Sequence, residues 1–149
     1  MIGLLSGAAS INAAPWAVKT GDNPPMATAL ACMNDLMFLS KIMEATKALS
    51  IPLRSLKTAE KLIEACREAG NAVVFLDLDD QRLDAITLAR AIRSAEPRVA
   101  ASIYAFVSHV NEDRIEAAGI GLFDQIFSRG QFVRVLPELL QRGGPEGAE

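Results

Sequence analysis

Asp77 ends a run of buried-strand character, Asn71-Ala-Val-Val-Phe-Leu-Asp-Leu78, and Asp35 follows a similar run, Ala29-Leu-Ala-Cys-Met33. Each places a carboxylate where a core strand meets solvent. Two such acids suit a hard cation held by oxygen ligands, or one nucleophilic carboxylate working beside a metal. Asp79 and Asp80 follow at once and start a loop, and a hydroxyl at Ser108 and a cation at Arg129 stand after later apolar runs. Whether these groups meet depends on the elements that carry them.

From Thr28 onward the pattern alternates strand and helix five times. The strands are expected at Thr28 to Met33, Ile51 to Leu56, Ala72 to Leu76, Val99 to Val107 and Leu122 to Phe127. Helix one, Leu36 to Leu49, has Leu36, Leu39, Ile42, Met43 and Leu49 at helical spacing, and Thr58 opens a second helix that Gly70 ends with a left-handed cap. Helix three, Leu83 to Ala95, stops before Pro97. Asn111 is the expected N-cap of helix four, which turns Ile115 and Ala118 inward, and helix five spans Phe132 to Gln141 around Val133, Leu136, Leu139 and Leu140. Met26, Met33, Met37 and Met43 read as core filler.

Short apolar strands joined by helices predict an α/β fold, a doubly wound five-stranded parallel sheet covered on both faces. The common order for five strands is 2-1-3-4-5, the flavodoxin-like arrangement, whose switch point lies between strands one and three. Those strands end in Asp35 and Asp77, so the two carboxylates share one crevice.

Composition bounds the rest. The 149 residues are 50% hydrophobic and carry a net charge of -3, enough for one aliphatic core and without the basic surface that nucleic acid attracts. Cys32 and Cys66 lie in apolar contexts with no CxxC spacing, and His109 is the single histidine, so structural zinc is disfavoured and reduced thiols of a cytoplasmic protein are expected. Residues 1–27 read as a flexible extension, 28–142 as the domain and 143–149 as a tail. The first segment lacks the positive flank of a secretory signal and the length of a membrane span, and Lys19 alone gives no basic face for a membrane surface.

Met33-Asn-Asp35 after strand one, Phe75-Leu-Asp-Leu78 at strand three, Val107-Ser108 at strand four and Ser128-Arg129 after strand five together resemble the receiver domains of two-component response regulators, the CheY-like proteins. The resemblance runs from Thr28 to Gln141. It implies that Asp77 is a phosphoacceptor served by a histidine kinase or phosphotransfer protein. It further implies weak Mg²⁺ binding through Asp35, Asp77 and the backbone carbonyl of Asp79, with Asn34 accepting from a metal-bound water, while Ser108 and Arg129 contact the phosphoryl oxygens. Asn34 stands where the family has the first acid of its pair, Arg129 where it has a lysine, Gly130 where it has a proline, and Gln125 or Ile126 where a switch aromatic is common. A one-residue shift would put Ser128 at the lysine position.

These departures leave two functional expectations. One is a stand-alone, non-enzymatic receiver phosphorylated on Asp77; the other is a pseudo-receiver that serves as a phosphorylation-independent interaction module. Either would bind a downstream protein through the face of helix four, strand five and helix five, exposing Arg114, Gln125, Gln131 and Arg134. Each residue also has a plainer use: Asp35 as a helix cap, Ser108 in local turn hydrogen bonding, Arg129 in a surface ion pair, and Asp79 and Asp80 in a solvated loop.

Overall fold

The computed structural model describes residues 27–108, 113–118 and 121–143. Met26, His109, Asn111, Gly119, the N-terminal extension, the last six residues and the side chains of Arg114 and Ala118 lie outside the described residues. Five strands, β1 (Thr28–Cys32), β2 (Leu53–Ser55), β3 (Ala72–Asp77), β4 (Ala101–Val107) and β5 (Gln125–Ser128), alternate with α1 (Leu36–Ala48), α2 (Ala59–Ala69), α3 (Ala85–Arg93), α4 (Asp113–Ala118) and α5 (Arg129–Arg142). All pairings are parallel, in the order β2-β1-β3-β4-β5. This is the doubly wound 2-1-3-4-5 sheet that the strand-helix alternation predicts.

Every residue of β3 and β4 is buried, as a central parallel strand covered on both faces requires. Alternation along the strands divides the core. Leu30, Val74, Leu76 and Ile103 face an aliphatic layer with Leu62, Leu88 and Ile92 of α2 and α3. Ala31, Val73, Phe75, Tyr104, Phe106 and Phe127 face α1 and α5, where they meet Phe38, Ile42, Phe132 and Leu136. Phe132 lies 4.9 Å from Phe106, 5.5 Å from Phe75 and 6.0 Å from Phe38 between ring centroids, so one ring joins three elements.

Local signals set most boundaries. Thr58 and Asp84 cap α2 and α3, and Gly70 closes α2 at φ 73°, where its N–H donates to the Cys66 carbonyl. Cys32 and Cys66 are free and buried, and burial pushes both thiols up to about 11.

Three expectations need correction. In α1 the inward residues are Phe38, Ile42 and Thr46, whereas Leu36, Met37 and Met43 are exposed. The run Leu36-Met-Phe-Leu39 is apolar all round, so it does not mark its own inner face; the stacking of Phe38 on Phe106, with centroids 4.3 Å apart, does. Strand five starts at Gln125 instead of Leu122, because Asp124 first turns its carboxylate to the Ile103 N–H at 2.6 Å and to Arg93 at 3.1 Å. Ile115 of α4 is exposed and not inward.

Truncating Phe132 to Ala removes a fully buried ring and should lower stability by roughly 3–5 kcal/mol in urea denaturation, whereas Met37→Ser should change it by less than about 0.5 kcal/mol. A comparable loss from Met37→Ser would mean that α1 presents a different face to the sheet.

Candidate functional site

Strand register brings the site together. Cys32 pairs with Leu76, Asp77 with Phe106, and Val107 with Ser128. The residues just past these pairs, Asp35, Asp79, Ser108 and Arg129, therefore emerge along one rim at the carboxyl ends of the strands, where open α/β sheets collect ligands. The two aspartates read as crevice partners from the sequence do share this crevice.

Arg129 organises it. Its guanidinium donates through Nη2 to Asp35 Oδ2 and through Nη1 to Asp79 Oδ2 at 3.1 Å, and Nη1 lies 3.7 Å from Asp77 Oδ1. The central carbon of the guanidinium lies over Phe38 and Phe106, 4.5 and 5.0 Å from the ring centroids, so the rings that fix α1 also support the cation. The register is set by Ser128, the N-cap of α5: its hydroxyl accepts from the Gln131 N–H while the Gln131 side chain accepts from the Ser128 N–H. This capping box turns Ser128 toward the helix and leaves Arg129 to enter the crevice.

Each carboxylate has its own surroundings. Asp35 caps α1 by accepting from the Phe38 N–H at 3.1 Å while it pairs with Arg129, so cap and site residue are one role. Burial opposes its ionisation, but the Phe38 N–H and Arg129 together hold its carboxyl below the usual value. Asp77 is 4% exposed and accepts from the Asp79 N–H at 2.8 Å. Burial pushes it up to about 6, against the pull of that N–H and of Arg129. Asp79 accepts from the Ser108 N–H at 3.0 Å and from the Ser108 hydroxyl at 3.1 Å. Asp80 accepts from the N–H groups of Asn34, Arg82 and Leu83 and from the Asn34 amide. Burial opposes its ionisation too, and these N–H donors hold its carboxyl below the usual value.

Asp79 and Asp80 are thus more than solvated loop acids. Asp79 reaches the rim through a turn: the Asp80 N–H donates to the Asp77 carbonyl at 3.1 Å and the Asp79 N–H to the Asp77 carboxylate at 2.8 Å, a reversal that strand alternation does not forecast. Phe38, as the floor beneath Arg129, and Lys57, whose ammonium donates to the Met33 carbonyl at 2.6 Å, were not marked by motif or spacing. Asn34 faces Asp80 rather than the Asp35–Asp77 pair.

The carboxylate oxygens of the rim are the ligand type a hard divalent cation takes, although among the described residues no group of three or more acidic, cysteine or histidine side chains is arranged to hold one. Asp35 and Asp77, with Asp79 beside them, are the residues that would hold one, and Arg129 stands among their oxygens, while Asn34 is turned to Asp80.

No protein-family model matches the chain, and no curated protein matches it by sequence. Solved structures match by fold. The receiver domain of a sensor histidine kinase from Pseudomonas aeruginosa PAO1, solved with magnesium coordinated in its active-site cleft, aligns with a TM-score of 0.61 at 17% identity, over 78% of this chain and 96% of that one. A phosphorylated cyanobacterial phytochrome response regulator, RcpA, aligns at 0.59 and 15% identity, over 78% and 93%. The chemotaxis response regulator CheY4 of Vibrio cholerae aligns at 0.58 and 13% identity, over 78% and 98%. The chain has the fold of response-regulator receiver domains. No helix among the described residues is long and apolar enough to cross a membrane.

The position of Asp77 carries a stability consequence. Its folded value of about 6 lies above the ordinary 3.8, so between these values the folded state keeps a proton that the unfolded state has released, and stability falls as pH rises through that window. Above pH 6 the ionised carboxylate costs on the order of 3 kcal/mol. Asp77→Asn, measured by urea denaturation in chelator, should be more stable than wild type at pH 7.5 and lose that advantage below pH 4. Equal stability at both pH values would mean that Arg129 fully offsets the burial of Asp77.

Proposed function

We propose that this protein is a receiver-like signalling module of the two-component type that acts by binding another protein, with its rim already in a bonded arrangement without phosphorylation. The observation that carries this reading is the state of the donors. The Ser108 N–H, the Ser108 hydroxyl and Arg129 Nη1 all converge on the Asp79 carboxylate. These are the groups that an incoming phosphoryl would need as partners, and an internal carboxylate already engages them.

The partner face is the one formed by α4, β5 and α5. A groove of about 320 Å³ opens there, lined by Val107, Ser108, Ile115, Ile126 and Phe127 among others. Ile115 is 41% exposed at its edge, and Gln125, Gln131 and Arg134 are exposed nearby. Ser108 belongs to both the groove and the charged rim, so the bond to Asp79 also sets the shape of the groove mouth. An apolar groove with a polar edge suits a protein partner.

The second reading is phosphoryl transfer to Asp77 from a histidine kinase or phosphotransfer protein, and the burial of Asp77 at a strand end beside Arg129 favours it. Asp77 would attack as the carboxylate nucleophile while the P–N bond to the donor's phosphohistidine breaks and the imidazole leaves, Arg129 would turn to the transferred group, and the Ser108 hydroxyl would leave Asp79 to donate to it. Bound Mg²⁺ would neutralise charge on that group.

Intact mass after incubation with acetyl phosphate and Mg²⁺ separates the two. No adduct on folded protein is the expected result. An adduct that disappears in Asp77→Asn and in chelator would replace the first reading with the second.

A further inference from the structure

A single guanidinium satisfies the carboxylates that a divalent ion would need. Arg129 pairs with Asp35 and Asp79 and lies 3.7 Å from Asp77. It is also prepared for that position before any ligand arrives. Its backbone is the first residue of α5, held by the Ser128–Gln131 capping box. Its guanidinium carbon lies 4.5 and 5.0 Å from the ring centroids of Phe38 and Phe106, and a side chain so supported gives up little further freedom when it pairs. Tethering turns the ion pair into an intramolecular event, with an effective concentration that a free ion must exceed.

We propose that Arg129 is a built-in counter-cation standing where a divalent metal would bind, so that Mg²⁺ enters the crevice only by displacing it. The two cations address the same oxygens and exclude each other by charge. The rim of this chain is consequently complete without metal, and β1, β3 and α5 are tied together at their site ends by a side chain instead of an ion. This competition holds whether or not Asp77 accepts a phosphoryl group.

The test is a Mg²⁺ titration at constant ionic strength, followed by calorimetry and amide shifts, on wild type, Arg129→Met and Arg129→Lys. Methionine keeps an apolar stem on the two rings and removes the charge, whereas lysine keeps the charge. Arg129→Met should bind Mg²⁺ at least about tenfold more tightly than wild type, and Arg129→Lys should gain less than Arg129→Met. The gain should vanish when Asp35→Asn is added to Arg129→Met. Without metal, Arg129→Met should melt below wild type, and its melting temperature should climb with Mg²⁺ while that of wild type stays nearly constant. Equal affinity in wild type and Arg129→Met, or an equal gain in the lysine variant, would overturn the proposal. If Arg129→Met is unfolded without metal, recovery of its fold on adding Mg²⁺ supports the proposal, and failure to recover while Arg129→Lys folds normally overturns it.

Discussion

Several carboxylates crowded at the ends of neighbouring buried strands repel one another and lose hydration, and in this protein a single guanidinium makes their coexistence tolerable. Parallel pairing of β1 with β3 and of β3 with β4 leaves Asp35, Asp77 and Asp79 no choice of neighbourhood. Arg129 comes to them from the far side of the sheet order, at the start of α5. Because it also rests on Phe38 of α1 and Phe106 of β4, the same contact links the charged rim to the aromatic layer beneath it. The two halves of the sheet thus meet through one side chain as well as through their ladders.

That linkage explains why the two faces of the sheet differ. The α2–α3 side is aliphatic, built from Leu, Ile, Val and small residues. The α1–α5 side gathers Phe38, Phe75, Phe106, Phe127, Phe132 and Tyr104. A planar cation needs a planar support, and this is the side on which alternation along β3 places Asp77, after Val73 and Phe75. The neighbouring connection follows the same logic: Asp80 is occupied by N–H groups from its own loop and by Asn34. An amide in place of an acid at Asn34 supplies donors to Asp80 and spares the rim another negative charge.

The sheet and the crevice were legible because they depend on patterns that survive without tertiary information. Continuous apolar runs mark central parallel strands, Thr58 and Gly70 mark the limits of α2, and the strand order follows from connection rules; together these bring Asp35 and Asp77 to one place. The phase of α1 was not legible. Leu36 to Leu39 offers apolar residues in every direction, so only the fit of Phe38 against Phe106 decides which face turns inward. The start of β5 was hidden because Asp124 is occupied across the chain by Arg93 and the Ile103 N–H. Both are long-range contacts with no local trace. The placing of the Asp79 side chain was hidden as well, because it depends on the turn just past β3 and on Ser108 and Arg129 being near, which only the register of β4 and β5 reveals.

Arginine, rather than lysine, at residue 129 is what gives this rim its character. A compact ammonium carries three donors on a flexible stem and is more strongly hydrated than a guanidinium, so it is held less firmly at a ring face. The guanidinium divides its donors, Nη2 to Asp35 and Nη1 to Asp79, while its central carbon stays within cation–π distance of Phe38 and Phe106. Once Asp79 is held by Nη1 it is oriented to accept both the N–H and the hydroxyl of Ser108, so the start of the β4–α4 connection is drawn toward β3. Ser108 in turn lines the groove beneath α4. A continuous chain of contacts therefore runs from the α1 cap at Asp35, through one planar cation and one carboxylate, to the groove. The strength of any link in it bears on how wide that groove stands.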